Sequence, residues 1–133
     1  MTYATIMVSL ASDQSNEHCL AAAREMVDRF EARAIGIAAA EFSPPLYFTS
    51  GDEADRLIEQ GRSSIKKRLS ELEVEFRAVM GRGSAQVEWR ASMELPLRFT
   101  AREARAADIV VIGQSRSSAF SDPFARVNPS DLV

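Results

Sequence analysis

Two short segments of the sequence carry residue types that could bind a ligand or react with one. The first is the run Ser115-Arg116-Ser117-Ser118, which follows Gly113 and a fully apolar segment. A guanidinium fork with hydroxyl donors beside it is suited to an anion such as phosphate. The same composition is typical of a solvated surface loop, so the run predicts either an anion site or a loop without one.

The second segment is the adjacent pair His18 and Cys19. A thiol beside an imidazole is the pattern of an activated nucleophile, but neighbours in a helix point about 100° apart and do not face each other. The chain has one histidine and one cysteine, which leaves no second imidazole for a metal site and no partner for an internal disulfide. We therefore predict that Cys19 is a core residue, that the chain has no catalytic residue and no metal site, and that it is not an enzyme.

Composition and charge narrow the class of protein. The chain has 133 residues, of which 46% are hydrophobic and 26% charged, as expected for one globular domain. Its net charge is −3 with acids and bases interspersed, which argues against nucleic acid or an anionic membrane as the main partner. No stretch approaches about eighteen apolar residues, and the N-terminus lacks the basic start of a signal peptide. We expect a cytoplasmic protein, in agreement with its single cysteine.

Four segments have the pattern of β-strands. Residues 5–10 and 109–112 are apolar on both faces, which is typical of strands buried inside a parallel sheet. Residues 35–40 are rich in alanine, and their setting rather than their propensity indicates a strand. Residues 87–91 alternate between apolar and polar, so they predict an edge strand with one wet face and with Trp89 as a packing residue.

Three segments have the spacing of amphipathic helices, and they are residues 16–31, 52–80 and 94–106. Asp13 and Ser15 are the best candidates to cap the first helix. Its predicted buried face consists of Cys19, Leu20, Ala23, Met26, Val27 and Phe30. The second helix would be roughly 40 Å long at about 1.5 Å per residue, so we expect one end to project from the sheet or to bend near Gly61.

Strands and helices alternate along the sequence, which predicts an α/β fold with a parallel sheet and right-handed crossovers. In open sheets of this kind, ligands bind beyond the carboxyl ends of the strands, where the Ser-Arg run also falls. The first and last strands are the most apolar. We expect the centre of the core to contain Ile6, Val8, Val110 and Ile112.

The sequence resembles the universal stress protein family in four segments, which are TYATIMVSL, RFEARAIGIAA, ARAADIVVIGQS and NPSDLV. The second and fourth segments resemble the branch in which two such domains are fused in tandem. The resemblance implies a doubly wound, Rossmann-like sheet of the adenine nucleotide alpha hydrolase-like type, with strand order 3-2-1-4-5 in the family. For this chain we expect the order 3-2-1-4 in a single domain, residues 1–133, because the family's last helix and fifth strand follow the position where the chain ends.

The family's nucleotide-binding members carry an aspartate at the end of the first strand, and glycines and a Ser/Thr after the fourth. Gly113 matches this pattern, and Asp13 matches only if the first turn slips by two residues. The mismatches are Ala11 in place of the aspartate, Arg116 and Arg126 in place of glycines, and Val127 in place of the hydroxyl residue. The resemblance therefore implies a degenerate nucleotide site that does not bind ATP. Its residues are Ala11, Ser12, Gly113, Ser115 and Arg116.

We therefore expect a universal stress protein-like domain that acts in the stress response through protein–protein association and needs no cofactor. Residues 109–112 would lie at an open sheet edge, so we expect this edge to pair in a homodimer or with a tandem domain, with Phe120 and Phe124 packed nearby. The alternative is a protein that binds a nucleotide such as ATP or AMP, or a small anion, and is a weak ATPase. That site would use Ser12, Gly113, Ser115 and Arg116.

Overall fold

The computed structural model describes residues 4–42, 51–81 and 86–113, and within them strands and helices alternate as predicted. The elements are β1 (Thr5–Ser9), α1 (Glu17–Phe30), β2 (Arg33–Ala39), α2 (Gly51–Met80), β3 (Val87–Ser92), α3 (Pro96–Glu103), a 3₁₀ turn (Ala104–Ala106) and β4 (Ile109–Ile112). The strands form one parallel sheet in the order β3-β2-β1-β4. The predicted α/β class, strand order and strand direction are confirmed.

The two faces of the sheet bury separate cores, because side chains alternate across each strand. On one face, α1 and α2 pack against a core that includes Ile6, Val8, Leu20, Val27, Leu72, Phe76 and Met80. On the other face, α3 packs through Phe99 against Met7, Ile35 and Ile37. Helices on both faces are what right-handed crossovers produce when the chain reverses its direction across the sheet after β3.

The burial of β4 differs from the sequence-based expectation. Ile6 and Val8 of β1 are 1% exposed, as predicted for the centre of the core. Val110 and Ile112 are only partly buried, so they do not lie at that centre. The reason is position, because within the described residues β4 pairs with β1 alone and ends the sheet.

The first helix begins and ends differently from the prediction. Its N-cap residue is Asn16, not Asp13 or Ser15, and the helix ends at Phe30. Cys19 is buried as predicted, but Phe30 is 49% exposed. Helical spacing assigns Phe30 to the same side of α1 as Val27 and Ala23. Phe30 is the last residue of the helix, however, and few neighbours cover its ring there.

The second helix approaches the sheet closely because position 36 of β2 is a glycine. A Cβ atom there would lie 2.7 Å from Trp89 and 2.8 Å from Phe76, which is closer than packed atoms allow. The rings of Phe76 and Trp89 are 5.6 Å apart between centroids. Trp89 is therefore an edge-strand packing residue, as predicted, and the glycine that weakens the strand pattern is needed for this contact.

Residues 51–68 of α2 bury no side chain completely, and the helix is continuous through Gly61. This glycine makes room for the Phe42 ring, which a Cβ atom at residue 61 would overlap. Tyr47 and Phe48 lie outside the described residues.

The third helix is shorter than the predicted residues 94–106, because its last residues form the separate 3₁₀ turn. It covers the wet face of β3 with an ion-pair network. Arg90 of β3 contacts Glu103 of α3 at 2.6 Å and the neighbouring Glu88 at 3.1 Å. These partners stabilise the guanidinium and raise the pKa of Arg90.

Candidate functional site

The strand order places one candidate site at the carboxyl ends of β1 and β4. The chain leaves β1 toward β2 on one side, while β4 lies on the other side, so the connections diverge between these two strands. Such a switch point is where open α/β sheets bind ligands. Ala11 and Ser12 follow β1 here, and Gly113 follows β4.

The loop after β1 is closed by the side chain of Asn16. Its Oδ1 atom accepts a hydrogen bond from the Ala11 N–H at 2.8 Å, and its Nδ2 atom donates to the Ala11 carbonyl at 3.0 Å. Nδ2 also lies 3.4 Å from the Gln14 carbonyl. Asn16 is 5% exposed, and these bonds satisfy its buried amide. Both backbone polar groups of Ala11 are therefore occupied by a side chain of the same loop.

Cys19 connects the ends of β1 and β4 beneath this loop. Its Sγ atom lies 3.9 Å from the Ser9 carbonyl and 3.8 Å from the Val111 carbonyl. Burial raises the pKa of the Cys19 thiol to about 11, and a hydrogen bond with the Gly113 backbone opposes that rise. The thiol is thus a protonated core group at neutral pH, and it is not poised as a nucleophile. The neighbouring His18 is exposed.

Gly113 itself stands in moderately open space. A Cβ atom at this position would meet the Gln14 side chain at 3.7 Å and the Cys19 Cβ at 3.9 Å, both ordinary contacts. The first glycine of the family pattern is therefore compatible with a larger residue here. Its retention does not by itself indicate a phosphate approaching the backbone.

Arg68 of α2 holds the loop from its other side. Its Nε atom donates to the Ser12 carbonyl at 3.0 Å, and its guanidinium lies 3.4 Å from Glu71 and 3.7 Å from Glu75. A surface groove of about 730 Å³ runs between this loop, α1 and α2. Its lining consists of Ser12, Asp13, Gln14, Ser15, Asn16, Glu17, Leu20, Arg68, Glu75, Ala78 and Val79. The groove is open, and its lining carries three carboxylates and one guanidinium beside apolar surface.

Comparison with solved structures places this architecture in a known group. The universal stress protein UspA from Lactobacillus plantarum matches with a TM-score of 0.72 and 14% sequence identity, over 99% of this chain and 90% of that one. The chain has the fold of a UspA-like domain. A universal stress protein family member from Burkholderia pseudomallei matches with a TM-score of 0.56 and 25% identity, over 84% of this chain and 82% of that one.

A third similar structure is described as a universal stress protein in complex with cAMP. It matches the UspA-like domain with a TM-score of 0.52 and 21% identity, over 84% of this chain and 73% of that one. No protein-family model matches the sequence, and the search of curated proteins finds no match either. The likeness is therefore one of fold, and the fold alone does not establish an activity.

The UspA-like domain brings some of its predicted site residues together. Ala11, Ser12 and Gly113 lie at the ends of neighbouring strands, as the sequence predicts. Ser115 and Arg116 lie outside the described residues. Arg126, Val127, Phe120 and Phe124 lie outside them too.

Sequence reasoning missed two residues that shape the site, Asn16 and Arg68. Asn16 stands among several polar residues that could cap a helix, and only the closed loop shows which one is used. Arg68 is 56 positions from the carbonyl that it binds, so no local pattern could associate the two.

Within the parts of the UspA-like domain that the structure describes, no three residues of the metal-binding types gather in one place. In the same residue ranges, no helix combines the length and the apolar character needed to cross a bilayer.

Proposed function

We propose that this UspA-like domain acts in the stress response through association with protein partners, and that it does so without binding ATP. The proposal depends mainly on one observation, which is that an alanine, Ala11, follows the end of β1. The resemblance implies an aspartate at this position in nucleotide-binding members, where it contacts the adenosine. A methyl group accepts no hydrogen bond.

The backbone of Ala11 does not replace that missing carboxylate. Its N–H and carbonyl groups are both bonded to Asn16. An adenosine hydroxyl would have to compete with these bonds, and a buried amide left unpaired costs about 1–3 kcal/mol. Arg116 and Arg126 stand in the sequence where the family's phosphate-binding pattern has glycines, and an arginine leaves less room for a phosphate than a glycine does.

The proposed association uses the edge of β4. The described part of the sheet ends at this strand, and its side chains Ile109–Ile112 are all only partly buried. Paired apolar edges are stable, whereas open ones aggregate. We propose that the edge pairs with a second copy of this chain or with a second domain of the same fold, in the cytoplasm.

Two measurements test these proposals separately. Sedimentation velocity at micromolar concentration tests the association, for which we expect a dimer, and a monomer at every concentration would contradict it. A thermal-shift series with ATP, ADP and AMP, followed by mass spectrometry of the purified protein, tests the nucleotide statement. We expect no shift and no co-purified nucleotide.

The alternative function is the binding of a nucleotide or a small anion, with weak ATPase activity. Two observations favour it, which are the open groove beside the β1–α1 loop and the similar structure described in complex with cAMP. A nucleotide held in this groove would contact Ser12, and one bound at the ends of β1 and β4 would also contact Gly113. A concentration-dependent thermal shift with cAMP or AMP, but not with sodium sulfate, would favour this alternative over both the main proposal and a simple anion site.

A further inference from the structure

The first half of α2, called the projecting half below, is less buried than the second half. From Leu69 onward the helix buries four side chains, Leu69, Leu72, Phe76 and Met80. From residue 51 to residue 68 it buries none, although that stretch spans roughly 27 Å at about 1.5 Å per residue. A helix that is polar on most sides either bridges partners or needs its own ion pairs for stability.

Charges on this projecting half are separated into two blocks. Residues 51–60 carry four acids and one base, Arg56, and residues 61–68 carry four bases and no acid. The names acidic block and basic block are used here for Asp52, Asp55 and Glu59, and for Arg62, Lys66 and Lys67. All of these side chains are exposed. Among the described residues no salt bridge reaches any of them, whereas the sheet-bound half of α2 pairs Arg77 with Glu73 at 2.8 Å.

The arrangement is not explained by the helix alone. Acidic residues near its N-terminus do favour the helix dipole. Arg62 and Lys66, however, are like charges four positions apart, and such pairs destabilise a helix. The apolar residues of this half do not explain the charges either, because Ile58 and Ile65 are partly buried on the side where Phe42 packs against Gly61, and Leu57 is 37% exposed.

We propose that the projecting half of α2 binds the same segment of a second copy in antiparallel orientation. A two-fold axis near residues 60 and 61 would place Asp55 level with Lys66 and Glu59 level with Arg62, and the symmetry repeats each pair. The acidic block of each copy then faces the basic block of the other, which is self-complementary only in the antiparallel sense. This contact is separate from the β4 edge and adds a second association surface, so at low salt it should join β4 dimers into larger species.

Block charge reversal in the full chain tests this contact. The first variant carries Asp52→Lys, Asp55→Lys and Glu59→Lys, and the second carries Arg62→Glu, Lys66→Glu and Lys67→Glu. Sedimentation is measured at about 0.05 M and about 0.5 M salt, because only exposed charge pairs are strongly screened. We expect each variant alone to lose the salt-sensitive association, with a dissociation constant raised at least about tenfold.

Two further samples distinguish complementarity from damage to the helix. An equimolar mixture of the two variants, and one chain carrying all six changes, should both regain salt-sensitive association. A control with Arg29→Glu, Arg33→Glu and Arg105→Glu changes the net charge as the second variant does, at exposed positions outside α2. It should associate like the natural chain.

Several outcomes would overturn the proposal. They are a natural chain without salt-sensitive association, block variants that keep it, a mixture that does not regain it, and a control that loses it equally. A salt-insensitive dimer that persists in the block variants would leave the β4 association intact. The two proposals therefore fail independently.

Discussion

The side chain of Asn16 is bonded to both backbone polar groups of Ala11, at 2.8 Å and 3.0 Å. These two bonds fix the loop at the point where the family's nucleotide-binding members place an aspartate. The loop is therefore held by its own buried amide, and the side chain at the carboxyl end of β1 is a methyl group. The bonds from Asn16 stabilise the loop, and they also occupy the backbone groups of Ala11 that could otherwise bind a ligand.

Replacing Asn16 with alanine should destabilise the domain by about 1–3 kcal/mol, because the substitution leaves the Ala11 N–H and carbonyl groups without their buried partner. Urea unfolding measures this change. His18→Ala is the matched control, since His18 is exposed on the same helix and should change stability by less than about 0.5 kcal/mol. Equal unfolding midpoints for the two variants would show that Asn16 does not hold the loop.

Gly36→Ala should destabilise the domain by about 1–3 kcal/mol, because its methyl group would press against Phe76 and Trp89. Thermal or urea unfolding provides the measurement. Gly51→Ala is the control, since nothing lies within 4 Å of a Cβ there. Adding Phe76→Leu to Gly36→Ala should cost less than the sum of the two single changes. Strict additivity would contradict the close contact.

The sequence predicts different properties of β2 and β4 correctly. The apolar run of β4 correctly predicted a parallel strand, but a run of apolar residues does not report how many neighbours the strand has. The alanine-rich segment containing Gly36 looked weak as a strand. It is nevertheless central, because small side chains there admit Phe76 of a helix whose position depends on the whole fold.

The candidate site was predicted in outline for a similar reason. Strand order and the ends of the apolar runs place Ala11 and Gly113 together, in agreement with the pairing of β1 and β4. Asn16 and Arg68 could not be assigned, because both act on backbone carbonyls. Hydrogen bonds of this kind depend on the path of the loop backbone. The spacing of residue types along the sequence does not predict them.

The Cys19 thiol should ionise near pH 11 in the folded domain, compared with an ordinary value of 9.0. The folded state holds this proton more tightly than the unfolded chain, so stability should fall as pH rises from about 9 toward 11. Thiolate ultraviolet absorbance, with Cys19→Ser subtracting the tyrosine background, measures the titration in native buffer and in urea. The same midpoint in both would contradict a buried thiol.

A calorimetric titration of the purified domain with ATP tests most directly whether the domain lacks an ATP site. We expect no saturable heat and thus a dissociation constant weaker than about 1 mM, because Ala11 offers no acceptor and its backbone groups are bonded to Asn16. The variant Ala11→Asp, titrated in parallel, shows whether the carboxylate alone restores binding. Saturable ATP binding by the natural chain in the micromolar range would contradict the account.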